Sequence, residues 1–263
     1  MISVDMRKKR VNAMNCKVSL AVLTTFLVSA GWVSSAAAAA KAAPVDYRAC
    51  HFRDGKTMKD LDKVTAKFRA YANKADTGYA AWTLTPQFQT DLPLDVAWMG
   101  AWPDAESFGV SMERWMKEGG ELRAEFAEVV DCGNRHLMAA SYPINAPDGV
   151  PEDGMWLFAA CDLNDGVSIE QAYAAHLEAG QVMKAMGSMS TSWMMVPGIG
   201  AGPNDPDYYH ALAFYRYSDL GASVEMFING GGQQKRNAIL NKVSSCKTPV
   251  LFDAVSVRAH DER

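Results

Sequence analysis

The chain has 263 residues, of which 49% are hydrophobic and 21% charged, with a formal net charge of −4. Residues 41–263 carry 21 Lys and Arg against 29 Asp and Glu. A polyanionic partner is repelled by that balance, no basic stripe is visible, and nucleic-acid binding is set aside.

In chain order, residues 1–40 read as a secretion signal. Arg7, Lys8, Lys9, Arg10 and Lys17 precede an apolar run over 18–33, and Ser34, Ser35 and Ala36 to Ala40 offer A-x-A cleavage sites. The run is short for a membrane span. The expectation is a periplasmic or secreted protein with no span left after cleavage; an uncleaved anchor is the alternative.

The next elements follow from periodicity and turn chemistry. A strand over 47–52 leads into an Asp54-Gly55 turn. Thr57 then stands at a helix N-cap, and Met58, Leu61, Thr65, Phe68 and Ala72 share one face of the helix that follows. A strand holding Trp82 stops at Pro86, a third strand spans 95–102, and a second helix starts near Asp104 and runs towards Cys132. A fourth strand covers 136–142. The stretch 143–154, with three prolines and two glycines, reads as a linker.

After it the same series recurs: a strand over 155–163, the turn Asp165-Gly166, and Ser168 as a cap. A helix follows with Ile169, Tyr173, His176, Gly180 and Met183 in one stripe. Then come a strand from Trp193 to Pro197, a strand over 208–217, and a helix starting near Asp219. Gly230, Gly231 and Gly232 interrupt that helix, and a strand over 250–257 ends the series. The motif C-x-[FL]-x-D-G-x-[ST] begins at Cys50 and again at Cys161, and Trp82 and Pro86 meet Trp193 and Pro197 at the same offset. Met112 parallels Met226, and Cys132 parallels Cys246, at slightly larger offsets. Matches in one order indicate an internal repeat, with copies over 41–142 and 155–263.

Each copy reads β-α-β-β-α-β, the ferredoxin-like order, whose four-stranded antiparallel sheet has helices on one face only. The fold class expected is therefore α+β, two tandem ferredoxin-like repeats packed sheet to sheet through their bare faces. This arrangement resembles the dimeric α+β barrel superfamily in tandem form, which includes antibiotic-biosynthesis monooxygenases, EthD-like and NIPSNAP-like proteins, and chlorite-dismutase-type haem enzymes. The resemblance implies a pseudo-dimeric barrel. It rests on element order and duplication, and it carries no catalytic residue over.

Cys16 lies in the signal-like segment, leaving Cys50, Cys132, Cys161 and Cys246. An even count in an exported chain favours disulfides, with three pairings available. In the ferredoxin-like topology the first and fourth strands are neighbours, which selects Cys50–Cys132 and Cys161–Cys246. No C-x-x-C or C-x-x-C-H spacing points to redox or haem attachment.

His176, on the helix stripe that should meet the sheet, and His210, on a strand, are the candidate catalytic residues, as bases or ligands. Alternation puts His210, Leu212, Phe214 and Arg216 on one face, expected to line the barrel interior. Trp82, Trp193, Arg48 and Arg216 are the expected pocket residues, with Asp46, His51 and His136 as further candidates. Met183, Met186, Met189, Met194 and Met195 could offer thioethers to copper, or pack a core. The function expected is an exported barrel enclosing a small apolar organic molecule between its sheets. It either catalyses a cofactor-independent oxidation, isomerisation or cleavage, or binds without catalysis. No cofactor is required; haem or copper at His176 or His210 is the alternative, and a homo-oligomer stays open.

Overall fold

The computed structural model describes residues 41–75, 78–89, 92–147 and 152–259. The signal-like segment lies outside them. The elements in chain order are β1 (Ala43–Phe52), α1 (Met58–Ala75), β2 (Ala80–Phe88), β3 (Val96–Ala101), α2 (Ala105–Glu118), α3 (Gly120–Val129), β4 (Val130–Asn145), β5 (Gly154–Leu163), α4 (Ile169–Ala185), β6 (Thr191–Pro197), β7 (Tyr208–Phe214), α5 (Tyr217–Ile228), α6 (Gly232–Leu240), β8 (Ser244–Cys246) and β9 (Val250–Arg258).

Local chemistry explains the boundaries. Gly55 and Gly166 take φ of 72° and 76° in the two Asp-Gly turns, where a side chain is disfavoured. Ser168 caps α4 through a reciprocal pair with Gln171, and Asp104 caps α2 by accepting from the Ser107 backbone N–H at 2.9 Å. Asp219 is not a cap. It lies in the first turn of α5 and pairs with Arg216, the residue at the N-cap position. Glycines break both second helices, at Gly119 between α2 and α3 and at Gly230 and Gly231 between α5 and α6.

Eight strands close into one antiparallel barrel in the order β7-β6-β4-β1-β3-β2-β9-β5, with β5 returning to β7; β8 pairs with the end of β5. The first half thus has its last strand beside its first, and so does the second. The expected stacking of two sheets through bare faces is corrected in one respect. The halves also join edge to edge, β4 on β6 and β2 on β9, because unpaired edge N–H and C=O groups are satisfied by closure. The two faces curve around a shared interior. The linker is shorter than expected: β4 runs on to Asn145, with Pro143 opposite Trp193, and Tyr173 donates to the Pro143 carbonyl at 2.6 Å.

Alternation sorts side chains into two layers. Val45, Trp82, Leu84, Ala97, Met99, Ala139, Trp156, Met195, Ala211, Ala213 and Phe252 fill the interior, while other clusters lie between sheet and helices. The β7 faces are therefore opposite to the sequence expectation. Ala211 and Ala213 point inward and His210 lies under the helices, because the bulky Trp156 and Trp193 leave room only for small neighbours. Both disulfides form, Cys50–Cys132 and Cys161–Cys246, with Cα separations of 4.1 and 4.0 Å.

Candidate functional site

The best-equipped cavity lies in the first half, between the sheet and α1, α2 and α3. It holds about 320 Å³. Its walls are aromatic: Phe68 and Tyr71 come from α1, Trp115 from α2, Phe126 from α3, Trp98 from β3, and Tyr79 and Trp102 flank the strands. Phe68 meets Trp98 edge to face at 5.1 Å and Trp115 at 5.8 Å, a geometry that ring quadrupoles favour. Two buried polar atoms of this wall, the Tyr71 hydroxyl and Trp102 Nε1, have no hydrogen-bond partner among the described residues. Unsatisfied buried donors cost about 1–3 kcal/mol each and call for an explanation.

A polar chain runs from the surface to this cavity. Asp46 is 2% exposed yet accepts from Arg48 Nε at 3.2 Å and from the Tyr79 hydroxyl at 3.1 Å. The half-exposed His136 places Nε2 3.2 Å from the same carboxylate. Trp98 Nε1 donates to the Tyr79 hydroxyl at 2.7 Å. Burial, then the Asp46 charge, pushes the Tyr79 phenol well above its usual range, so it stays protonated at neutral pH. Gly100 makes room for this tyrosine: a Cβ there would stand 1.9 Å from the Tyr79 hydroxyl.

The two candidate histidines come together, but elsewhere. His176 from α4 and His210 from β7 lie 4.5 Å apart between ring centres. His176 Nε2 is 2.9 Å from the Tyr208 hydroxyl, which is 2.6 Å from Ser244 Oγ. Ala172, His176 and Ala179 form the buried centre of the α4 stripe. Burial, then Arg236, pulls the His176 pKa down to about 3, and burial with His176 and Arg236 depresses His210 well below its usual value. The two rings are 1% and 8% exposed, a buried pair on the helix side of the sheet.

Of the expected pocket residues, Arg48 lines the helix–sheet cavity. Trp82 and Trp193 belong to the barrel interior, where Trp156 stacks on Trp193 at 4.9 Å and lies 6.2 Å from Trp82. Arg216 is corrected: it is exposed and held by Asp219 at 2.7 and 2.9 Å, away from either cavity. His51 pairs with Asp95 in an exposed position. The methionine run makes no copper site, since Met194 packs under the helices, Met195 points into the interior and Met189 is exposed. No group of three or more His, Cys, Asp or Glu positioned for a metal occurs among the described residues. The helix–sheet cavity is lined by no histidine and no free thiol, and the buried His176 and His210 line neither cavity.

Sequence reasoning missed Tyr71, Tyr79, Trp98 and Trp102. The signals were present: Phe68 and Tyr71 three apart on one helix, and a lone glycine inside a strand, which marks close approach by another group. A second cavity of about 320 Å³ opens in the barrel interior, lined by Tyr47, Met99, Arg135, Leu137, Phe158, Met195, Tyr209, Lys247, Val250 and Phe252 among others.

No family model matches the sequence, and no curated protein matches it significantly. Solved structures do resemble it. A protein assigned as a chlorite dismutase superposes with a TM-score of 0.52 at 11% identity, over 82% of this chain and 96% of that one. A protein assigned as a monooxygenase from Lactobacillus acidophilus NCFM gives 0.52 at 9%, over 83% and 95%. Another so assigned, from Fusobacterium nucleatum subsp. nucleatum, gives 0.53 at 7%, over 86% and 96%. At such identities the likeness concerns the fold alone. In fold, this chain is a closed α+β barrel similar to those of the solved proteins assigned as a chlorite dismutase and as monooxygenases.

Proposed function

We propose that the protein binds a small, flat, largely apolar organic molecule carrying a carbonyl or similar acceptor oxygen, in the aromatic cavity between sheet and helices of the first half. The observation that carries this reading is the pair of unpartnered buried donors, the Tyr71 hydroxyl and Trp102 Nε1, in the wall of a largely aromatic cavity. An acceptor oxygen on the occupant supplies the missing bonds, and ring stacking supplies the rest. Fold neighbours assigned as monooxygenases agree with a small-molecule role. A catalytic reading draws on one further observation. The His136–Asp46–Tyr79 chain links solvent to the cavity wall, a route by which a proton reaches a ligand oxygen during a cofactor-independent isomerisation or cleavage.

The two halves read as copies of one unit, and residues 1–40 as a signal for export to an oxidising compartment. Two disulfides support the latter, and no helix among the described residues is long and apolar enough to cross a membrane. N-terminal sequencing of the protein from a periplasmic fraction tests it. For the ligand, mass spectrometry of co-purifying small molecules comes first. Titration with 1-tetralone, followed by tryptophan fluorescence, should show binding that Tyr71→Phe weakens about 5–10-fold, the worth of one hydrogen bond. Equal affinity in Tyr71→Phe and Trp102→Phe sinks the assignment. Turnover lost in Tyr79→Phe with binding retained favours the enzyme over the carrier.

A further inference from the structure

The barrel interior holds a second set of groups that the helix–sheet cavity does not use. Tyr47 on β1 and Arg135 on β4 are diagonal neighbours on the inner face, for Tyr47 pairs with Leu137 and Arg135 stands opposite the small Ala49. Arg135 Nη2 reaches the Asp205 carboxylate and also the Tyr209 hydroxyl at 3.2 Å. These groups share a wall with the side chains of Met99, Leu137, Phe158, Met195, Val250 and Phe252, and the cavity they enclose holds about 320 Å³. The stacked Trp156 and Trp193 fill the neighbouring part of the interior.

The charges at this wall do not cancel. Arg135 is balanced by Asp205, and Lys247, itself exposed, also lines the cavity at its rim. Asp46 borders it too, but its carboxylate is committed on the other face of the sheet to Arg48, Tyr79 and His136. One positive charge is therefore in excess. The Tyr47 phenol adds a donor: burial pushes its pKa up to about 12, so it keeps its proton throughout the physiological range. Arg135 keeps further N–H groups beyond the Nη2 atom that Asp205 and Tyr209 engage.

We infer that the barrel interior is a second binding site, for a small apolar monocarboxylate. Its carboxylate sits among Tyr47, Arg135 and Lys247, and its aromatic or aliphatic body lies against Phe158, Met195 and Phe252. A cavity of this size matches the lower end of small-molecule sites, enough for a bicyclic ring system. An uncharged analogue loses the charge-assisted bonds to this wall, which are about twice as strong as neutral ones.

Calorimetric titration of the purified protein with 2-naphthoate and with 2-naphthylmethanol at pH 7 tests this. Naphthoate is expected to bind at least ~10-fold more tightly than the alcohol. Tyr47→Phe should weaken naphthoate about 10-fold, and the charge-neutral pair Arg135→Gln with Asp205→Asn should weaken it further. Tyr71→Phe, in the other cavity, should leave it unchanged. Melting temperatures establish that each variant is folded, and Tyr47→Phe alone decides if the double variant is not. Absence of naphthoate binding, equal affinity for the alcohol, or indifference to Tyr47→Phe overturns the proposal. Naphthoate binding abolished by Tyr71→Phe moves the ligand to the helix–sheet cavity and also overturns it. Loss of tetralone binding alone affects only the reading of that other cavity.

Discussion

Gly100 and the buried histidines show how single residues set local conditions. Any side chain at Gly100 collides with the Tyr79 ring and hydroxyl. Gly100→Ala should then cost about 1–3 kcal/mol, as overpacking does, and should expel Tyr79 from Asp46. A shift in melting temperature of several degrees with altered tyrosine absorbance is the expected sign; an unchanged melting curve contradicts the packing. His176 is neutral when folded, with its pKa near 3 against about 6.5 when unfolded. Between those values the unfolded chain binds the extra proton, so stability is fully present above pH 6.5 and falls as the pH drops towards 3. The loss is on the order of a few kcal/mol, with His210 acting in the same direction. Replacing His176 with Gln should flatten the fall in melting temperature between pH 7 and pH 4; an equally steep fall would place the acid sensitivity elsewhere.

Among the elements, the cysteine pairing was legible because first and fourth strands are neighbours in a β-α-β-β-α-β unit. The bridges close loops with sequence separations of 82 and 85, worth roughly 4–5 kcal/mol in the chain-entropy model and less where strain intervenes. Removing Cys50 and Cys132 together should lower stability by about 2–5 kcal/mol in chemical denaturation, with the midpoint unchanged if the bridge is idle. Helix starts were legible at Asp104 and Ser168, where a polar side chain precedes an apolar stripe. At α5 the signal misled: Asp219 reads as a cap, but Arg216 takes that position and turns Asp219 into its ion-pair partner. The β7 faces were misjudged because alternation separates two faces without saying which one the helices cover.

At the level of the whole molecule, neither half has a closed sheet of its own. Separating them exposes the edges of β2, β4, β6 and β9 together with the interior apolar face, a recognised route to association. Segments 41–147 and 152–263 expressed apart should be insoluble or self-associated, and should recover solubility when expressed together. A monodisperse, cooperatively folding monomer of 41–147 would falsify the edge-to-edge account. Arg258 adds a tie across one seam, since it is 1% exposed on β9 and donates to Asn73 Oδ1 and the Tyr79 carbonyl of the first half.

Sequence by itself determined the α+β class, the order of elements, the Asp-Gly turns and the disulfide pairs, because each rests on local periodicity or on strand adjacency within one unit. It also singled out Arg48, Asp46, His136, His176 and His210 as residues of interest. Only the tertiary structure decided which of them share a site. His176 and His210 end as a buried pair under the helices, whereas Arg48, His136 and Tyr79 converge on Asp46 beside an aromatic cavity. The reason is closure. Joining β4 to β6 and β2 to β9 fixes which face of every strand turns inward, and that choice depends on pairing between residues far apart in the chain, where no local pattern reaches.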